Sequence, residues 1–194
     1  KMGYALAESA RNLGADVELI SGPVSIKTPE NIKITSVETS TEMLNAVLGK
    51  IPYSDIFISA AAISDYRPSQ KLTNKHKGSD GELVIRLERG EDILKLAKET
   101  KAGLYAVGFS AETNNISDNA KIKLEKKNID MIISNEANHQ KGLGFESDMN
   151  EVCIIEKDSM LKIPKNTKKI IANIILSRIA KNIKGNLIKI KNAR

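Results

Sequence analysis

The 194-residue chain has no tryptophan, three phenylalanines, four tyrosines, two histidines and one cysteine, and each shortage removes a class of explanation. A lone Cys153 excludes an intrachain disulfide framework, fits a reducing cytoplasm, and leaves no Cys/His set at zinc spacing. With 4% aromatic residues, the core must be built from Ile, Leu, Val and Ala, which suits strands covered by helices. The same scarcity leaves few platforms on which a single-stranded nucleic acid stacks its bases. No apolar run approaches the ~20 residues of a membrane span, and Glu8, Arg11 and Asp16 interrupt the first residues too early for a signal peptide. The sequence carries no P-loop, no Gly-x-Gly-x-x-Gly and no Ser/His/Asp or Cys/His arrangement, so hydrolase and dehydrogenase readings lose ground. The expectation is a cytoplasmic protein with neither a membrane nor a nucleic-acid partner.

What is present is lysine, small residues and alternation. Lys and Arg number 30 against 24 Asp and Glu, a formal charge of +6, which reads as a solvated basic surface or as affinity for polyphosphate small molecules. The length suits one domain. Met2, Leu6, Ala10 and Leu13 recur at helical spacing and Gly14 follows where a left-handed cap is wanted, so residues 2–13 read as a helix. Strands are expected over 17–20 and 32–37. Thr39 and Glu42 form a capping pair for a helix starting near Ser40 and ended by Pro52. Further strands are expected at 55–61, 82–87, 104–109, 129–134 and 151–155, with helices at 91–99, 117–128 and 167–182. A long polar loop spans Asp65 to Asp80, a length that often marks a lid. This order predicts a Rossmann-like α/β fold: a mostly parallel, doubly wound sheet with a lid loop and short extra strands. Residues 183–194 read as an edge strand or a basic tail.

Two strand ends locate the working edge. Ser59 to Pro68 closes an apolar strand with small side chains and then switches to Asp65, Tyr66 and Arg67. Val107 to Thr113 ends a second strand in small and polar residues. In open parallel sheets ligands bind beyond such carboxyl ends, and small residues let them approach the backbone. Asp65 is either a ligand for a base, ribose hydroxyl or metal ion, or a cap of the following turn. Lys75 and Lys77 sit in a Gly/Ser-rich loop able to close over a triphosphate, or are ordinary surface lysines. His76 has no motif partner and reads as a surface residue. Phe109 lies against a flat base or in the core. Lys123 and Lys127 are one helical turn apart, a spacing at which like charges repel and a shared anion relieves the repulsion.

Taken together, the segments resemble phosphopantothenoylcysteine synthetase. Lys1-Met2-Gly3 followed by Ala5-Leu6-Ala7 looks like the end of that family's Ser-Gly-Lys-Met-Gly element. Ile20 to Val24, Ala60 to Pro68, Val107 to Thr113, and Gly144-Phe145 with Asp148 and Asn150 then follow in family order, so the resemblance runs from Lys1 to about Ile183. It implies a domain over 1–183, lacking the family's glycine-rich start, and a basic tail over 184–194. It further implies a ligase of coenzyme A biosynthesis that joins 4'-phosphopantothenate to L-cysteine. CTP activates the acid as an acyl-cytidylate with Mg²⁺ accompanying the triphosphate, in a homodimer. By the same resemblance Ala61, Ala62, Asp65 and Phe109 help hold the nucleotide, and Lys75, Lys123 and Lys127 meet its phosphates, with Lys75 catalytic. Asp92-Ile93-Leu94 corresponds to the family's Pro-Asp-Ile-Leu element. The chain departs from the family pattern at Lys75-His76-Lys77-Gly78 and at Gly90-Glu91. No flavin site is expected. The competing readings are an NAD(P)-binding oxidoreductase, which needs a pyrophosphate turn the sequence lacks, and a basic RNA-binding module suggested by net charge alone.

Overall fold

The computed structural model describes residues 1–70, 84–112, 116–136 and 147–192. Its first helix, α1 (Met2–Asn12), buries Leu6, Ala7 and Ser9. The expected glycine cap is present: Gly14 has φ +87°, its N–H donates to the Arg11 carbonyl at 2.9 Å, and the Ala15 N–H donates to that of Ala10 at 3.1 Å. This pair of bonds satisfies carbonyls that the helix end leaves free. Leu13, read as part of the buried stripe, is the exposed capping residue instead.

Strands β1 (Glu18–Ser21) and β2 (Lys33–Ser36) pair in parallel. Helix α2 (Ser40–Lys50) opens on Thr39, whose Oγ1 accepts the Glu42 N–H at 3.1 Å. Glu42 Oε2 accepts from the Glu38 N–H at 2.8 Å, one residue earlier than in the usual capping box. A 3-10 turn over Ile51–Tyr53 contains Pro52 and ends the element.

The remaining parallel pairings join β3 (Ile56–Ser59), β6 (Tyr105–Glu112) and β7 (Met131–Glu136). Two antiparallel strands, β8 (Met149–Glu156) and β9 (Ser159–Thr167), extend the sheet in the order β3-β6-β7-β8-β9. The fold is thus the expected α/β arrangement with parallel strands where ligands are expected. Strand β9 was not expected; it carries Pro164 at the sheet edge, where a missing N–H is tolerated. Strand β4 (Tyr66–Pro68) lies inside the segment read as loop and pairs antiparallel with β5 (Leu87–Arg89).

Helices cover both faces. Along β6, Tyr105 and Val107 join Leu6 of α1 and Ile171, Ile175 and Ile179 of α5 (Lys168–Asn192) in one core. Leu104 and Ala106 turn to the other face, with Val47, with Leu94 and Ala97 of α3 (Ile93–Thr100), and with Leu124 of α4 (Ile116–Lys127). This alternation is the period of two of a strand buried on both sides. Helix α5 runs through the segment read as an edge strand or tail.

Candidate functional site

The carboxyl ends of β3, β6 and β7 point one way, and the turn after β3 holds Ala61, Ala62 and Asp65, all exposed. That turn is tied to the segment before α3. The Gly90 N–H donates to the Asp65 carbonyl at 2.8 Å. Arg67 reaches Glu88 Oε1 through Nε at 2.8 Å and Thr41 Oγ1 through Nη1 at 2.9 Å. Two segments distant in sequence, Ala61 to Pro68 and Gly90 to Asp92, are thereby adjacent in space.

Asp92 stands at the start of α3 and its Oδ1 accepts the Lys95 N–H at 3.1 Å, an N-cap that satisfies an orphan helix donor. Its other oxygen, Oδ2, lies 2.8 Å from Lys127 Nζ. Partial burial favours the neutral acid, but the bonds from Lys127 and Lys95 outweigh it and hold the carboxyl below its ordinary value. Two of the expected nucleotide ligands, Asp92 and Lys127, are therefore bonded to each other. Lys123 lies one turn earlier on the same helix, half-buried. Ile93 and Leu94 are core residues, 5% and 8% exposed. Leu94 sits so close to β6 that a Cβ built on Gly108 would come within 2.7 Å of its Cδ2. Phe109, half-buried, packs against the core on the α1 and α5 face, the opposite side of the sheet from Leu94. Lys75, His76 and Lys77, with Thr113, Gly144 and Phe145, lie outside the described residues.

The family model for the C-terminal domain of the DNA/pantothenate metabolism flavoprotein matches residues 1–183. The chain belongs to this family. It is 42% identical over 182 residues to the coenzyme A biosynthesis bifunctional protein CoaBC of Bacillus subtilis (strain 168), covering 93% of this chain and 45% of that protein. The CoaBC of Vibrio vulnificus (strain CMCP6) is 39% identical over 182 residues, covering 92% of this chain and 45% of that protein. A crystal structure of the C-terminal domain of CoaBC superposes with a TM-score of 0.79 at 36% identity, covering 95% of this chain and 83% of that one. The chain spans 45% of the length of those curated relatives.

The strand ends carry features that sequence reasoning missed. The hydroxyls of Ser110 and Ser134, partners in the β6–β7 register, are buried and have no hydrogen-bond partner among the described residues. Asp148 joins two helix starts: its Oδ1 lies 2.7 Å from Lys1 Nζ, and its carbonyl accepts the Lys168 N–H at 2.9 Å. The lysine bond holds the Asp148 carboxyl low, while burial and the neighbouring Lys1 push the Lys168 ammonium down. A cleft of about 480 Å³ opens beyond β1 and β2, lined among others by Tyr4, Ser21, Ile34, Glu38 and Glu42; Gly22-Pro23 after β1 was its sequence signal. No helix among the described residues is long and apolar enough to cross a membrane.

Proposed function

We propose that the chain is the synthetase part of coenzyme A biosynthesis, joining 4'-phosphopantothenate to L-cysteine at the expense of CTP. The observation that carries this reading is the likeness to the C-terminal domain of CoaBC over 95% of the chain. An oxygen of the pantothenate carboxylate attacks the α-phosphorus of CTP, the bond to the β-phosphate oxygen breaks, and pyrophosphate leaves. The cysteine amine then attacks the acyl carbon of the cytidylate, the C–O bond breaks, CMP leaves and the amine proton passes to solvent. Both steps need alignment and neutralisation of phosphate charge more than a strong acid or base. In this reading Ala61 and Ala62 let the nucleotide lie against the backbone, Asp65 and Phe109 orient it, and Lys123 and Lys127 face its phosphates. Lys75 neutralises charge as pyrophosphate departs.

Magnesium suits this donor set as a companion of the triphosphate. No group of three or more His, Cys, Asp or Glu side chains gathers among the described residues, and Mg²⁺ ordinarily takes phosphate and water oxygens with one or two carboxylates. The exposed Asp65 carboxylate would complete that shell, and the ion would supply charge neutralisation at the phosphates. We place the enzyme in the cytoplasm as a homodimer.

The test is product analysis with the full chain. CMP and pyrophosphate should form from CTP only when 4'-phosphopantothenate is present, and the amide only when cysteine is added. Lys75→Ala should slow CMP formation at least about tenfold, the scale of removing a charge from a transition state, with an unchanged melting temperature. CMP release without the acid, or unchanged turnover in Lys75→Ala, would overturn the assignment or the role of that lysine respectively.

A further inference from the structure

Asp92 and Lys127 were both expected to serve the nucleotide, yet each spends its charge on the other across 2.8 Å. The two ends of the bond are unequal. Asp92 is fixed, because its second oxygen caps α3 through the Lys95 N–H. Lys127 hangs on a flexible four-carbon stem at the last turn of α4. With side-chain exposures of 39% and 34%, the pair is neither sealed from water nor fully solvated, a setting in which an ion pair is weak enough to be exchanged. Near the pair, helix α4 buries Leu124 and leaves Ile122 49% exposed.

We propose that the Asp92–Lys127 pair is a charge latch, which a polyphosphate opens by taking the Lys127 ammonium away from Asp92. Resting on the reading of Lys123 and Lys127 as phosphate-facing, it makes Asp92 a residue that sets affinity by competing for Lys127. An arriving polyphosphate offers several anionic oxygens to both lysines, where Asp92 offers one carboxylate oxygen to one of them. Lys127 swings, Asp92 stays at its cap, and the strip of α4 bearing two like charges gains a shared counter-ion.

The probe is inorganic tripolyphosphate in the presence of a chelator, followed by calorimetry on the full chain. Asp92→Asn keeps a capping side chain and removes the competitor, so tripolyphosphate should bind roughly threefold to fivefold more tightly, the upper part of the range for a partly exposed ion pair. In a Lys127→Met background the same substitution should change affinity less than about twofold, because no latch remains. Carbon-13 detection of the Asp92 carboxyl gives a second readout: its pKa should rise as tripolyphosphate is added to the unmodified chain. An Asp92→Asn protein that binds no more tightly overturns the latch, as does an equal gain with Met at position 127, which would signify plain repulsion. CTP binding no tighter than tripolyphosphate would instead sink the nucleotide reading while leaving the latch standing.

Discussion

At Gly108 a single hydrogen decides how closely α3 lies on β6. A methyl group there would meet Leu94 Cδ2 at 2.7 Å and Ile129 Cδ1 at 3.4 Å, so the buried Leu94 side chain would have to shift. Gly108→Ala should therefore cost about 1–3 kcal/mol, the range for overpacking a filled core, seen as a lower urea midpoint. Leu94→Ala in the same chain should recover part of that loss, so that the two substitutions are non-additive; strict additivity would remove Leu94 as the cause. Gly108 was legible in the sequence as a small residue at a strand end, and the sequence also joined Asp92, Ile93 and Leu94 into one motif. Their separate fates were not legible. Ile93 and Leu94 face the core while Asp92 caps a helix and holds a lysine, because successive residues entering a helix point in different directions. Likewise the Asp92–Lys127 bond is a tertiary contact between α3 and α4, and no periodicity within either helix encodes it.

Among the elements, α5 and the β8–β9 hairpin are locked by one carboxylate. Arg178 donates to Glu156 through Nε at 3.1 Å and Nη2 at 2.6 Å, Asn182 joins Glu156 to the Tyr105 hydroxyl, and Ser159 donates to the same carboxylate from the next strand. Burial favours the protonated acid, but the bonds from Arg178, Ser159 and Asn182 prevail and bring the Glu156 pKa to about 2. A folded value below the unfolded one means that the stabilisation is present in full above the ordinary pKa of 4.5 and is lost as pH falls toward 2. The loss should be on the order of 2–3 kcal/mol, and Glu156→Gln should flatten that limb of the stability curve between pH 4.5 and 2; an unchanged acid limb would exclude Glu156 as its source. The hairpin that this carboxylate closes is also where sequence reasoning failed. Glu156 pairs with Ser159 across a two-residue Lys157-Asp158 connection, which lacks the usual Asn-Gly or Asp-Gly signal, and Pro164 is a residue that weakens the strand pattern in sequence. An edge position made proline harmless there. By contrast, the caps at Thr39 and Gly14 depend on neighbours within a few residues, so they could be read from sequence.

For the whole molecule, the parallel half of the sheet and its two covered faces were visible in the strand and helix alternation; of the small β4–β5 ribbon, the strand expected at 82–87 is found shifted to Leu87–Arg89, and β4 was concealed in a segment too polar to register as strand. That ribbon bears Tyr66, Leu87 and the nearby Val84 and Ile85 at 57–78% exposure. Two strands alone are marginally stable in water, and among the described residues these four large apolar side chains are left exposed. A second copy of the same ribbon is the cover the proposed homodimer would provide, because a two-fold axis sets equal apolar patches against each other. Sedimentation of the full chain should accordingly give twice the chain's mass, and Leu87→Glu should shift it toward monomer. Residue 87 is 57% exposed and lies outside both cores, so that substitution should leave the stability of the dissociated chain within about 0.5 kcal/mol of its original value. A monomer at all concentrations in the unmodified protein would deny the dimer, and a dimer that survives Leu87→Glu unchanged would move its interface elsewhere. If turnover falls together with the dimer while tripolyphosphate binding persists, assembly of the site for the acid and cysteine depends on the partner, whereas the lysines proposed to face the phosphates act within one chain.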